Sequence, residues 1–246
     1  VMMSEILIGR RGRRNPVATM KLLGEEEGNS DIWKWIGVMG VSAGVLILSY
    51  YSVIAGWTIT YIPKAFLGEF VGTDAISISK LFDDFVANPA SVILAHTIFM
   101  AINYFIIASG VKGLEKAVRF LMPGLLLLLF ILFIYSLTSG SFMDGVKFMF
   151  TPNFNALNWD GVLTAMGLAC FTLSIGMGAI MAYGAYLPQE TSITNATVSV
   201  VIADTGIAML AGLVIFPLVF ANGLNPGEGP DLVFKTLPLV FGQMQV

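Results

Sequence analysis

Five long apolar stretches leave this chain few ways to fold. They run roughly from 33 to 60, 91 to 110, 119 to 138, 160 to 186 and 194 to 221. About 20 mainly apolar residues suffice for a helix to cross a bilayer, and each stretch reaches that length. Of the 246 residues, 56% are hydrophobic and only 12% charged, against about 25% charged in a soluble domain. The expected fold class is therefore all-α, a polytopic transmembrane helical bundle. The net charge of −3 is too small to imply a nucleic-acid partner.

Several function classes drop out. Cys170 is the only cysteine and His96 the only histidine. An internal disulfide, a zinc site and a catalytic triad are excluded or left without candidates, and an enzyme is not expected. His96 reads as a neutral structural histidine, and Cys170 as a core residue. The N-terminal VMMSEILIGRRGRRNP places its apolar part before its arginines, the reverse of a secretory signal. It reads as the last turns of a helix running into a basic loop, so residues 1–30 are expected as a helix end plus loop. The apolar C-terminal LPLVFGQMQV points the same way, to an internal piece of a longer protein.

Basic residues orient the spans. Arg10, Arg11, Arg13, Arg14, Lys21 and Lys34 precede the first, and Lys112, Lys116 and Arg119 lie between the second and third. Positive charge is retained on the cytoplasmic side, so these segments are expected inside. Residues 61–90 and 139–158 are then expected outside. Trp33, Trp35 and Trp57 suit the aromatic belts, and Ser30 or Asp31 an N-cap.

Polar residues inside the spans carry the functional question. From Asp160 to Tyr186 a continuous helix would measure roughly 40 Å, against a hydrocarbon core of about 30 Å. The sequence FTLSIGMGAIMAYGAY at 171–186 sets Thr172, Ser174, Gly176 and Gly178 close together. A break there would free backbone carbonyls and amides, tolerated at membrane depth only where they line a cavity or are buried in protein. Freed carbonyls can coordinate a cation, and a half-helix N-terminus can attract an anion. Equally, two small residues allow close helix packing without a break. Asp204 is the only acidic residue within the fifth span. A carboxylate at that depth suits a sodium ligand, a proton carrier or a neutral hydrogen-bonded group. Tyr50 and Tyr51 lie near the middle of the first span and need partners for their hydroxyls. Gly113 and Pro123 bracket the start of the third span as two weak points that permit local unwinding, or as a loop glycine and a helix-start proline.

Taken together, IGRRGRRNP, SYYSVIAGWTITY, GVKGLEKAVRFLMP, MFTPNF with FTLSIGMGAIMAYGAY, and GPDLVFKTLP resemble successive segments of the neurotransmitter:sodium symporter family. The likeness implies its LeuT-type inverted-repeat fold with a broken sixth helix. It implies a chain running from the end of helix 2 to external loop 4. Helices 3, 4, 5, 6 and 7 would be 33–60, 91–110, 119–138, 160–186 and 194–221, with 222–246 in the external loop. Helix 1 and helices 8 onward would lie in the rest of the same protein.

The resemblance also implies roles. Tyr51 matches the tyrosine that binds the substrate carboxylate, and Ile47 a side-chain pocket position. Phe171 matches the aromatic lid, with Ser174 and Met177 at the break. Thr172 matches a pocket residue and ligand of the first sodium, and Asp204 another ligand of that sodium, usually asparagine in LeuT-like members. Tyr183 and Tyr186 match the cytoplasmic gate. Gly113 and Pro123 match the motif that unwinds helix 5.

Two departures sharpen the expectation. Leu168 and Ala208 stand where chloride-dependent members carry glutamine and serine, while Asp204 adds a fixed negative charge that can replace chloride electrostatically. Met177 stands where LeuT-like members have phenylalanine, which hints at a large apolar or aromatic amino acid. The expected function is chloride-independent, Na+-coupled amino acid symport in the plasma membrane, as in a bacterial inner membrane. A non-transporting accessory or sensor protein on the same fold, and proton coupling through Asp204, are the alternatives.

Overall fold

The computed structural model of the chain describes residues 1–28, 30–138, 141–154, 157–223, 226–227 and 232–243, and contains no strand among them. The helices are α1 (Met2–Gly12), α2 (Pro16–Glu26), α3 (Lys34–Phe66), α4 (Ala75–Ala87), α5 (Pro89–Ile107) and α6 (Val111–Leu137). They continue with α7 (Phe142–Phe150), α8 (Trp159–Thr172), α9 (Ala179–Tyr186), α10 (Ile193–Ala221) and α11 (Leu237–Gln243). A 3-10 turn, Asp31–Trp33, leads into α3, and a π-helical turn, Leu232–Thr236, leads into α11.

Local chemistry sets the starts. The side chain of Asn15 accepts from Ala18 N at 2.9 Å, with Pro16 in the first helical turn of α2. Ser30 caps the turn before α3 by accepting from Ile32 N at 3.1 Å. Asn88 accepts from Ala90 N and Ser91 N ahead of Pro89 in α5, and Asn158 from Gly161 N in α8.

Among the described residues, four helical segments are long and apolar enough to cross a membrane: Asp31–Phe66, Pro89–Ile107, Val111–Leu137 and Ile193–Ala221. Their most apolar windows are only 6–11% buried within the chain. Side chains such as Phe105, Phe120 and Leu127 point outward, which is favourable only beside lipid or further protein. The remaining stretch, 160–186, is interrupted into α8 and α9.

Several bounds differ from hydropathy, and part of the expected 1–30 loop is itself helical as α2. α6 begins at Val111, well before 119, because Lys112, Glu115, Lys116 and Arg119 depress hydropathy while forming helix readily. Glu115 and Arg119 pair at 2.6 Å across one turn. The 61–90 segment is also mostly helical. α3 continues to Phe66, and α4 buries Ile78, Phe82 and Phe85 on one face while Lys80, Asp83 and Asp84 dilute its average.

The chain separates into two compact units. The first comprises Val1–Ser49 and Pro152–Gly206, the second Tyr50–Thr151 and Ile207–Val246. In the first, α1 crosses α9 at backbone contact. A Cβ on Gly9 would overlap the carbonyl of Met181, and one on Gly184 would lie 2.6 Å from Ile6 O. Small residues at both points let the backbones touch, the usual device for helix packing in membranes. In the second unit, Tyr61, Phe70, Phe82 and Phe234 form a buried aromatic cluster. The π-helical turn inserts Phe234 so that it stacks on Phe82 at 5.6 Å and meets Trp57 edge-on at 5.3 Å. Val214, Leu218 and Val240 form a further core, beside which Ser136 Oγ lies 3.1 Å from Leu213 O.

Candidate functional site

The interruption at Leu173–Gly178 is a backbone feature, and its dihedral angles explain it. Ser174 has φ 54°, Gly176 φ 86° and Gly178 φ 74°. Alternating left-handed residues cannot continue a right-handed helix. A Cβ on Gly176 would meet open space, so its glycine answers to a conformational need and not to crowding at that position. That decides between the two readings of the glycine pair in favour of a broken helix.

After Ser174 N bonds to Phe171 O and Ile175 N to Cys170 O, the pattern ends. The carbonyls of Leu173, Ser174, Ile175 and Gly176 accept no hydrogen bond among the described residues. Carbonyl groups at membrane depth need a partner from protein or a lined cavity, and these four oxygens are available as acceptors.

Two elements of the first unit hold the turn. Glu5 of α1, only 9% exposed, accepts from Gly176 N through Oε1 at 2.7 Å. Its Oε2 is buried without a partner among the described residues. From the other side α3 approaches so closely that a Cβ on Gly40 would lie 3.1 Å from Gly176 O and 3.3 Å from Met177 C. A Cβ on Gly44, one turn on, would lie 3.9 Å from Met177 O, and Ile47 continues the same face of α3. Neither Glu5 nor Gly40 is among the residues the sequence singles out. The available signal for Glu5 was an acidic side chain in the apolar part of an otherwise basic N-terminal segment.

The expected residues are placed as follows. Phe171 and Thr172 end α8; Phe171 is 44% exposed, and Thr172 Oγ1 donates to Ala169 O at 3.4 Å, which leaves its lone pairs available. Ser174 and Met177 sit within the turn, both partly buried. Asp204 is partly buried in the portion of α10 that belongs to the same unit. The Thr172 hydroxyl and the carbonyls of the turn that follows it are neighbouring oxygen donors, of the kind a hard cation takes. Among the described residues no three His, Cys, Asp or Glu cluster. Tyr183 and Tyr186 lie exposed on α9.

Tyr51, Gly113 and Pro123 belong to the second unit. Tyr51 is 53% exposed and meets Tyr50 edge-on at 6.4 Å. Gly113 lies in the first turn of α6, where a Cβ would overlap the carbonyl of Ile106. That contact makes it a close-packed turn glycine in this conformation. Pro123 lies inside a continuous α6. The helix is intact from Gly113 to Pro123, although the proline removes one backbone donor.

Residues 67–222 match the Sodium:neurotransmitter symporter family. The solved structure of MhsT in complex with L-phenylalanine is similar at 42% identity and a TM-score of 0.89, over 99% of this chain and 55% of that one. An uncharacterized sodium-dependent transporter of Bacillus subtilis (strain 168) is 38% identical over 245 residues, covering 99% of this chain and 53% of its own length. One from Haemophilus influenzae is 35% identical over 247 residues, covering 98% and 54%. The chain thus spans about half the length of the relatives it matches.

Proposed function

Because the chain belongs to the sodium:neurotransmitter symporter family, we propose that the full-length protein couples Na+ entry to uptake of a large apolar or aromatic amino acid. The family is one of transporters rather than enzymes. The observation that carries the reading is the Leu173–Gly178 turn, with its free carbonyls held by Glu5 on one side and Gly40 on the other.

In this reading Thr172 and Asp204 bind Na+ through hydroxyl and carboxylate oxygen. Ser174, Met177 and Ile47 border the substrate side chain, Phe171 closes over it, and Tyr51 donates to its carboxylate. Tyr183 and Tyr186 border the cytoplasmic gate, and α6 unwinds between Gly113 and Pro123 when the path opens inward. Segments of the protein beyond this chain complete the pocket. MhsT, which holds L-phenylalanine, favours an aromatic or large aliphatic substrate, as does flexible Met177. The four crossing segments suit a multi-pass protein of the bacterial plasma membrane.

Full-length protein in liposomes tests this. An inward Na+ gradient is expected to drive uptake of L-phenylalanine, and Asp204→Ala to abolish the Na+ dependence while the protein still folds. Replacing chloride with gluconate is expected to leave uptake intact, since Leu168 and Ala208 are apolar. Uptake driven by a pH gradient without Na+ would transfer the coupling to protons. Absence of any substrate accumulation would favour an accessory or sensor role.

A further inference from the structure

The second unit contains a cavity of about 750 Å³ whose lining includes none of the residues of the broken helix. α3 and α5 touch near one end of it: a Cβ on Gly56 would lie 3.0 Å from His96 Cα. Beyond that contact, α3 from Ile59 to Lys64, α4 from Ser77 to Phe85, and Asn88 with α5 as far as Ile98 line this open space.

Its lining changes character along one axis. Lys80, Asp84 and Asn88 stand at one end, and Leu94 and Ile98 at the other. Asn88 to Ile98 spans about 15 Å of helix at 1.5 Å per residue. This end of α5 follows an expected external loop, so the polar end lies at the membrane surface and the apolar end at hydrocarbon depth.

The charges are the informative part. Lys64 pairs with Glu69 at 2.9 Å, and Asp83 pairs with Lys235 at 2.9 Å. Lys80 and Asp84, four residues apart on α4, pair neither with each other nor with another side chain among the described residues, and both line the cavity. One free cation and one free anion above an apolar groove complement a ligand with an anionic group, an ammonium group and an apolar tail.

We propose that this cavity binds a phospholipid bearing a primary amine. Its phosphate lies against Lys80, its ammonium donates to Asp84, and its upper acyl chain follows Leu94 and Ile98. An anionic lipid without the amine leaves Asp84 facing a like charge. A quaternary ammonium lipid lacks the N–H donors that a carboxylate takes. The volume accommodates the headgroup and the first part of the chains, within the range usual for ligand cavities. The inference does not depend on which solute is transported.

The test is native mass spectrometry of the full-length protein released from mixed micelles of phosphatidylethanolamine, phosphatidylglycerol and phosphatidylcholine. Phosphatidylethanolamine is expected to be retained preferentially. Lys80→Gln and Asp84→Asn change exposed side chains and are expected to fold; each should lower that retention about tenfold, the loss of one charge-assisted hydrogen bond. Leu94→Trp, also at an exposed position, fills the groove and should remove the preference. Circular dichroism checks folding in each case. Equal retention of the three lipids, or retention indifferent to all three substitutions, overturns the proposal. So does displacement of the lipid by free L-leucine, which would assign the cavity to a soluble zwitterion.

Discussion

Ser174 holds φ 54°, where an L-residue is strained by about 1–2 kcal/mol and glycine is not. Its neighbours Gly176 and Gly178 take the same half of the map without strain. The open space around Gly176 gives a clean prediction. Gly176→Ala should destabilise the protein by about 1–2 kcal/mol, whereas larger Gly176→Asn should cost less, because asparagine tolerates the left-handed region. Thermal unfolding in detergent reads the order; alanine better than asparagine would refute a conformational cause. Glu5 supports the same turn. Glu5→Ala leaves Gly176 N–H unpaired in a buried place, at about 1–3 kcal/mol, while Glu5→Gln keeps an acceptor and should retain most of the unfolding temperature. A polar residue stands out in a sequence when it interrupts an apolar run. Thr172, Ser174 and Asp204 did so and could be singled out. Glu5 stands five residues before Arg10, close enough to a charged loop that its place in an apolar stretch is a weak signal, and only the fold reveals that its carboxylate is buried.

At the scale of elements, the broken helix rests on a crossing that hydropathy cannot display. α9 has eight residues, too short to be stable alone. It is fixed against α1 through Gly9 and Gly184, and by Arg10, whose guanidinium donates to Thr191 O at 2.7 Å just beyond α9. Gly9→Ala must push the two backbones apart and should cost about 1–3 kcal/mol or more. Gly167→Ala in α8, where a Cβ has open space, should be neutral or slightly stabilising. If both substitutions lower the unfolding temperature equally, close approach is not what Gly9 provides. Arithmetic raised the break without deciding it, since 160–186 exceeds a bilayer span and carries two glycines one residue apart, a pair that close packing explains equally well. α4 and the early start of α6 were not, because window averages register composition and miss one buried face. The contact between α1 and α9 joins residues more than a hundred and fifty positions apart, and no local pattern encodes it.

For the whole molecule, the proposed sodium ligands and the turn proposed to face the substrate share one compact unit: Thr172 and Asp204 lie in it with Ser174 and Met177. Thr172 is only two residues from Ser174, so a cation on its hydroxyl and a substrate at the turn would bias the same backbone. Coupling between two ligands is a single free energy, typically about 1–3 kcal/mol or 5–150-fold, and it is reciprocal. Raising Na+ from trace to saturating levels should therefore tighten L-phenylalanine binding to the full-length protein by some factor in this range. Saturating L-phenylalanine should tighten Na+ by the same factor. Asp204→Asn keeps an oxygen ligand but removes the charge, so it should weaken Na+ binding and lower the substrate affinity measured at fixed, subsaturating Na+. Equilibrium binding titrations of both ligands check the two factors independently. A substrate affinity unmoved by Na+ in the unaltered protein would separate the turn from the cation and leave the free carbonyls of Leu173 to Gly176 to bind something else.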